Sequence, residues 1–336
     1  MRSSNKSAKA KIILLVLLLL FIGGALHGLK LWDKQEQNRE ASYTAEPELE
    51  RVRVSYDGSW YTLRDDLECI LLMGVDKFSG STPDENNYIN DQQADFLLLM
   101  IIDDRDRSFR TLHINRDTMA EIERLGLGGV RLGTFTGQLA LAHTYGSGGR
   151  DSCRNQVNAV SRFLYDVPIS HYYAVTMDAI PVLNDLVGGV TVYVEDDFSK
   201  IDSTIVQGTR QRLIGEQALH FIRARGNMQD SSNLSRMKRQ QAYMEAFYDQ
   251  LTAAIKKDDT FVTRLGLRLT DYSTSDLTTD ALQSLSDRVK EYRYIGLETI
   301  EGEAKVGNEF MEFYPNEQAL QNQVIRLFFE PDNSAQ

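Results

Sequence analysis

Two carboxylates stand at the ends of the most apolar segments of the chain. Asp76 closes ILLMGVD, and Asp95 opens the run DFLLLMII. Apolar runs of this length, bounded by polar residues, read as strands buried on both faces. The end of such a strand is an efficient place to present a side chain into a cleft. Two carboxylates brought together there suit Mg²⁺ or Mn²⁺, which takes a few carboxylates and fills its remaining positions with water and phosphate oxygens. The alternative is that Asp76 and Asp95 are strand caps facing water.

A cationic set follows. Arg116 and Asp117 come after the strand-like FRTLHIN, Arg223 and Arg225 end a helical pattern, and Arg236, Arg239 and Gln240 lie in the next one. Arg236 and Gln240, four apart, share a helix face. Arg223 and Arg225 are two apart, about 200° around an ideal helix, so they converge only if the helix loosens before Gly226. Converging guanidinium groups form a clamp for a pyrophosphate. Dispersed, the same residues are a salt-bridged surface. Other features are weaker. Tyr145–Gly149 (YGSGG) before a helix resembles a phosphate loop, but no Gly-Lys-Ser/Thr follows. The five histidines show no metal spacing, and no Gly-x-Ser-x-Gly elbow occurs.

The elements that must position these groups are legible as patterns. RVRVSYDGSWYTL alternates around Asp57-Gly58, a hairpin signal. Cys69–Val75 and Phe96–Ile102 are the two buried strands, and after a turn at Asp103–Arg107 the segment Phe109–Ile114 is a partner strand. Cys153, Val157, Val160 and Leu164 share one face of a helix over Asp151–Tyr165, with Asp151 as its N-cap. Tyr172–Thr176 reads as a strand. Asp178 opens a helix that stops at Gly188-Gly189, and Val190–Val194 is again a strand. Glu216–Arg225 and Asn233–Ile255 read as helices. Buried strands with covering helices predict an α/β fold, layered α-β-α around a mixed central sheet.

The 336 residues carry a net charge of −11, which disfavours nucleic acid as a partner. Cys69 and Cys153 form no Cys/His cluster, so a structural zinc site is not expected; they are either bonded or two buried thiols. Ile12–Leu29 contains no Asp, Glu, Lys or Arg, and Arg2, Lys6, Lys9 and Lys11 precede it. Such a helix spans about 27 Å, enough to cross a bilayer core. The flanking charges predict a single-pass anchor in the cell membrane, with the N-terminus cytoplasmic and the rest extracellular. A cleaved signal peptide is the rival reading and exports the same residues. The expected organisation is a cytoplasmic tail (1–11), a transmembrane helix (12–29), a stalk (30–50), an accessory β-hairpin (51–66) and a catalytic domain (67–330).

Taken in order, the blocks CILLMGVD, ADFLLLMI, LHINRDTMAEI, LALAHTYGSGG, LVGGVTVYV, GEQALHFIRAR and SRMKRQQ resemble the LytR-CpsA-Psr family. The resemblance implies a membrane-anchored phosphotransferase. It would move a glycan phosphate, such as teichoic acid or capsule, from a polyprenyl (undecaprenyl) pyrophosphate carrier to peptidoglycan or another wall acceptor. It implies that Asp76 and Asp95 hold Mg²⁺ on the pyrophosphate. Arg116, Arg223, Arg225, Arg236 and Gln240 would hold its oxygens, and Asp117 would orient Arg116. Two departures stand out. Gln93-Ala94-Asp95 replaces the usual Arg-Ser-Asp, and Asn115-Arg116-Asp117 replaces Pro-Arg-Asp. A pyrophosphatase using water as acceptor, and a non-catalytic envelope protein that binds polyprenyl lipid or wall polymer, are the competing readings. The sequence names neither the glycan nor the acceptor.

Overall fold

The computed structural model describes residues 52–76, 92–126, 129–224, 239, parts of 242–258, 261–307 and 310–332. The expected tail, membrane helix and stalk lie outside these residues, as do Arg225, Arg236, Gln240 and most of the loop Lys77–Gln93. Among the described residues no helix is long and apolar enough to cross a membrane.

In chain order the elements are β1 (Arg53–Tyr56), β2 (Ser59–Leu63), β3 (Leu67–Val75), β4 (Ala94–Asp103), β5 (Ser108–Ile114), β6 (Met119–Leu125), β7 (Arg131–Gln138), α1 (Leu141–Thr144), α2 (Gly149–Phe163), β8 (His171–Thr176), α3 (Ala179–Leu186), β9 (Val190–Tyr193), β10 (Arg210–Leu213), α4 (Glu216–Arg223), α5 (Phe261–Leu269), β11 (Ser273–Ser275), α6 (Thr279–Glu291), β12 (Arg293–Thr299), β13 (Gly302–Val306), β14 (Met311–Pro315), α7 (Glu317–Phe328) and β15 (Phe329–Pro331). They divide into two compact units. The larger holds 52–174, 274–277 and 287–332, and the smaller holds 175–273 and 278–286.

The larger unit is built on a six-stranded sheet of order β11-β8-β3-β4-β5-β12. Its β3–β4 and β4–β5 pairs are antiparallel and β5–β12 is parallel, which makes it the mixed sheet that was expected. The two apolar runs are its central strands. Cys69, Leu71, Met73, Leu97, Leu99 and Ile101 line one face and enter the core. Ile70, Leu72, Leu98, Met100 and Ile102 on the other face are equally buried, and this is why neither run alternates with polar residues. Burying each such side chain contributes about 1.5–3 kcal/mol before entropy is charged against it.

Helix α2 closes the first face with Cys153, Val157, Val160 and Leu164, the stripe read from the sequence, and α7 adds Leu320, Val324 and Leu327. On the opposite face the last turn of α6 is tied to the sheet by Arg288 and Glu68, 2.5 Å apart. Helix α2 starts two residues before Asp151. Its N-cap is Gly148, and Asp151 sits in the first turn, accepting from Ser147 Oγ at 2.6 Å. The Asp57-Gly58 hairpin forms as expected, with φ of 47° and 74° at its turn residues, the left-handed pair that matches strand twist. It is not free-standing, because β15 pairs with β2. Cys69 and Cys153 are separate buried thiols, each pushed up to about 12 by burial.

The smaller unit packs α3, α4 and α5 with the antiparallel β9–β10 pair around Phe198, Phe221, Tyr243, Phe247 and Leu251. Asn184, fully buried on α3, joins its parts. It accepts from Val190 N at 3.0 Å and donates to the Leu213 carbonyl at 2.9 Å. Asp178 stands at the N-cap of α3 without a side-chain cap bond.

Candidate functional site

The register of the central strands explains how Asp95 is aimed. Gly74 pairs with Phe96, but Val75 pairs with Ala94, so Asp95 is the extra residue of a β-bulge. Bulges bend the strand and re-aim a side chain. The glycine opposite Phe96 relieves crowding there, since a Cβ at Gly74 would stand 3.1 Å from Phe96 Cβ. Asp76 follows immediately on β3 and donates its backbone N–H to Gln93 O at 2.9 Å. Asp76 and Asp95 are therefore held at the same end of adjacent strands, as their placement in the two runs suggested.

Arg116 joins them from β5. Leu97 pairs with Ile114, so Asp95 and Arg116 each lie two residues beyond a matched pair. The Arg116 guanidinium forms an ion pair with Asp95 through Nη1, and its Nε donates to Asp117 Oδ1 at 3.0 Å. The Arg116 and Asp95 side chains are 15% and 18% exposed, and Asp117 is buried. One guanidinium is thus shared by two carboxylates at a site with little access to water. Asp117, the residue expected to orient Arg116, is the acceptor of its Nε–H.

The turn that carries Arg116 is held from several sides. Asn115 Oδ1 accepts the Asp117 N–H at 2.9 Å, and the Thr118 hydroxyl donates to Asn115 O at 2.6 Å. Ala140 links the two halves of the site. Its N–H donates to Arg116 O at 3.0 Å, and its carbonyl accepts from Ala94 N at 3.1 Å. Helix α2 fixes that loop with polar residues on its buried face. Gln156 donates to Leu139 O and accepts from His143 N, both at 3.0 Å, and Asn155 donates to Ala142 O at 2.7 Å. His143 Nδ1 lies 2.9 Å from Gln92 O, three residues before Asp95. Its partner is a carbonyl, so the ring carries its proton on Nδ1. Burial lowers this histidine to about 4, against the opposing effect of the Gln92 bond, and it is a neutral structural group.

Tyr145–Gly149 is not an anion loop. The Gly148 N–H is taken by Ser152 Oγ at 2.9 Å, and Asp151 places a negative charge in the first turn of α2. Gly146 serves packing instead. A Cβ there would lie 2.3 Å from Ser152 Cα and 2.5 Å from its Oγ. Gly146→Ala is expected to destabilise the protein by about 1–3 kcal/mol, a cost typical of overpacking. Thermal unfolding would register it, and an unchanged Tm would contradict this role.

The other cationic residues divide. Helix α4 ends at Arg223, and Ala224 leaves it with φ −47° and ψ 126°. The helix thus ends before Gly226, while Arg225 itself lies outside the described residues. Arg223 is exposed in the smaller unit, while the side chains of Arg225, Arg236 and Gln240 lie outside the described residues. Arg239 is no part of a clamp. It is buried, donates to the carbonyls of Phe221 at 3.0 Å and Ala224 at 2.6 Å, and pairs with Asp196. It therefore closes the C-terminal end of α4, where carbonyls lack helical partners. The histidines take structural places among the described residues. His113 and His143 are largely buried, while His171 and His220 face Asp276 and Asp202.

Among the described residues of the larger unit, the carboxylates Asp76, Asp95 and Asp117 stand at this end of the sheet with the Arg116 guanidinium, so acidic groups outnumber it there. The donor set is suited to a hard divalent cation. No group of three or more His, Cys, Asp or Glu among the described residues is placed to hold an ion by itself. A cation here would complete its shell with water and substrate oxygens, the coordination habit of Mg²⁺.

Fold and site define a mixed-sheet α/β domain that gathers acidic side chains around one arginine where its central strands meet. The chain belongs to the LytR_cpsA_psr family, whose sequence profile matches residues 30–327. It is similar to two curated proteins, each named polyisoprenyl-teichoic acid–peptidoglycan teichoic acid transferase TagU. The one from Halalkalibacterium halodurans is 31% identical over 159 residues, covering 47% of each chain. The one from Bacillus cereus is 29% identical over 226 residues, covering 67% of this chain and 64% of the relative. These alignments span about half to two thirds of the relatives' own lengths. Among solved structures, B. subtilis TagV matches with a TM-score of 0.51 at 21% identity, covering 79% of this chain and 97% of that one. TagT, solved bound to LI-WTA, matches with a TM-score of 0.51 at 20% identity, covering 78% and 90%. At these identities the structural matches establish the fold alone.

Proposed function

We propose that this protein transfers a glycan phosphate from a polyprenyl pyrophosphate carrier to a cell-wall acceptor such as peptidoglycan. It acts on the outer face of the cell membrane, anchored by Ile12–Leu29. The observation that carries the reading is Arg116 shared between Asp95 and Asp117 at the bulged end of β4. Family membership and the transferase names of the two relatives support the reaction class.

In the reaction the acceptor hydroxyl oxygen attacks the phosphorus that bears the glycan. The bond from that phosphorus to the bridging oxygen breaks, polyprenyl monophosphate leaves, and the hydroxyl proton passes to a carboxylate. Phosphoryl transfer asks for positioning and charge neutralisation more than covalent help. Arg116, fixed by Asp117, presents its guanidinium to the pyrophosphate oxygens. Asp76 and Asp95 would hold Mg²⁺, which when bound stabilises charge on the leaving phosphate. By the family resemblance, Arg223, Arg225, Arg236 and Gln240 would add further contacts to the pyrophosphate oxygens. Asp76 or Asp95 takes the hydroxyl proton.

The test uses the full chain in detergent with geranyl pyrophosphate as a probe. Binding followed by calorimetry should require Mg²⁺ and vanish with a chelator. Gln93→Arg, which adds a cation beside Asp95, should tighten it by roughly tenfold, the worth of one charge-assisted contact. Binding indifferent to Mg²⁺ would sink the metal part of the proposal, and no binding at all would sink the whole.

A further inference from the structure

Gln138 has no assigned role, yet it is buried at the end of β7 and touches the site directly. Its Nε2 donates to Asp117 Oδ1 at 2.9 Å and to Met311 O at 2.7 Å. A side-chain amide has two N–H groups, and both are used here. One bond falls on the carboxylate that orients Arg116. The other falls on β14, which also reaches the reactive turn through its backbone, with Phe313 N donating to Asp117 O at 2.8 Å. The β13–β14 hairpin is thus bound to Asp117 twice, once through the main chain and once through Gln138.

The topology shows why a residue 21 positions away arrives there. Asp117 and Thr118 lead straight into β6, and β6 returns as β7 with Met119 opposite Gln138. The β6–β7 hairpin therefore begins at Asp117 and ends at the side chain that holds it. The main-chain bond from Phe313 fixes where the turn lies. It does not fix the rotation of the Asp117 carboxylate, and that rotation sets the direction in which Arg116 points. A buried donor aimed at a carboxylate oxygen does fix it.

We propose that Gln138 is a positioning residue for phosphoryl transfer, locking the Asp117 carboxylate, and through it Arg116, against the carbonyl of Met311 on β14. This rests on the transferase reading above. Three variants separate donation from shape. Gln138→Glu keeps the shape and removes both donors, placing an acceptor against Asp117 Oδ1 and Met311 O. Gln138→Ala removes the contact. Gln138→Lys keeps N–H donors at similar reach.

The experiment measures kcat and KM of the full chain with Mg²⁺ and a polyprenyl-pyrophosphate-linked sugar, together with Tm. The Glu and Ala variants should lower kcat/KM about tenfold or more, the loss of one charge-assisted bond. The Lys variant should recover most of the activity. Activity should also be non-additive: in an Asp117→Ala background Gln138→Ala should have almost no further effect. A merely structural role would instead lower Tm in both backgrounds and add its loss of activity to that of Asp117→Ala. Wild-type kinetics in Gln138→Ala, or additive losses with Asp117→Ala, overturn the proposal while leaving the transferase reading intact. A wild-type protein that neither binds nor turns over the lipid substrate overturns the transferase reading and the role of Gln138 with it.

Discussion

Asp95→Ala is expected to lower Mg²⁺-dependent turnover of a polyprenyl-pyrophosphate substrate by at least about a hundredfold, the scale on which single electrostatic contributors to a transition state act. The side chain has two tasks in this account. It carries half of the proposed cation site, and it pairs with the guanidinium proposed to contact the pyrophosphate. The fold should tolerate the loss. Asp95 is a partly exposed bulge residue outside the hydrophobic core, and Arg116 keeps its bond to Asp117. A stability cost of about 1.5–3 kcal/mol is expected for one lost charge-assisted contact. Asp95→Asn keeps the volume and removes the charge, so it should fail almost as completely as alanine. Turnover retained alongside a large fall in Tm would make Asp95 a structural ion-pair partner and nothing more.

The largest effect on stability is expected at Arg239. Its side chain is 7% exposed, makes bonds to two carbonyls at the end of α4 and pairs with Asp196. Removing one partner of a buried ion pair costs about 3–5 kcal/mol, because the remaining groups lose a partner they cannot replace with water. Arg239→Ala should therefore lower Tm by about 10 °C. Arg239→Lys should lose most of the same amount, since a point charge cannot serve two carbonyls and a carboxylate together. Thermal or urea unfolding of the full chain checks both. Because Arg223, a proposed pyrophosphate contact, is the last residue of α4, the alanine variant should also weaken lipid-pyrophosphate binding through the frayed helix end. A variant with wild-type Tm would show that the cap is dispensable.

The parts of the fold that could be read from sequence are those with a single local cause. The two apolar runs declare strands buried on both faces, and they are the two central strands of the sheet. Asp57-Gly58 declares its turn because few residue pairs accept two positive φ values. The stripe on α2 declares its buried face. The start of α7 has a local signature too: Asn316 caps it by accepting from Ala319 N at 3.1 Å, ahead of Glu317 and a regular apolar stripe.

What escaped the sequence depends on partners far away in the chain. The bulge at Asp95 is a register slip between two strands, and neither strand contains it alone. Arg239 stands among the residues of SRMKRQQ and looks like one more cation of a clamp. Only the carbonyls of α4, some 15 to 18 residues earlier, reveal it as a cap. Ser152, Asn155 and Gln156 on α2 are hydrophilic by type, yet all three are buried and hold backbone groups, which no local pattern announces. The β6–β7 hairpin carries only a weak local signal, Ala120 and Ile122 alternating with exposed Glu121 at its start, beside the glycine-rich LGLGG. Gln138 has no sequence signal, being defined by a carboxylate and a carbonyl that lie 21 and 173 residues away.

The central claim is tested most directly by following both products of one reaction. The full chain, with Mg²⁺, a polyprenyl-pyrophosphate-linked glycan and a peptidoglycan fragment, should yield polyprenyl monophosphate and a fragment carrying the glycan through a phosphodiester. The two should appear in equal amounts, and both should be lost in Asp95→Ala. Polyprenyl phosphate released together with free glycan phosphate, the fragment remaining unmodified, would mean that water is the acceptor. Tight binding of the lipid with neither product formed would mean that the site holds its ligand without acting on it.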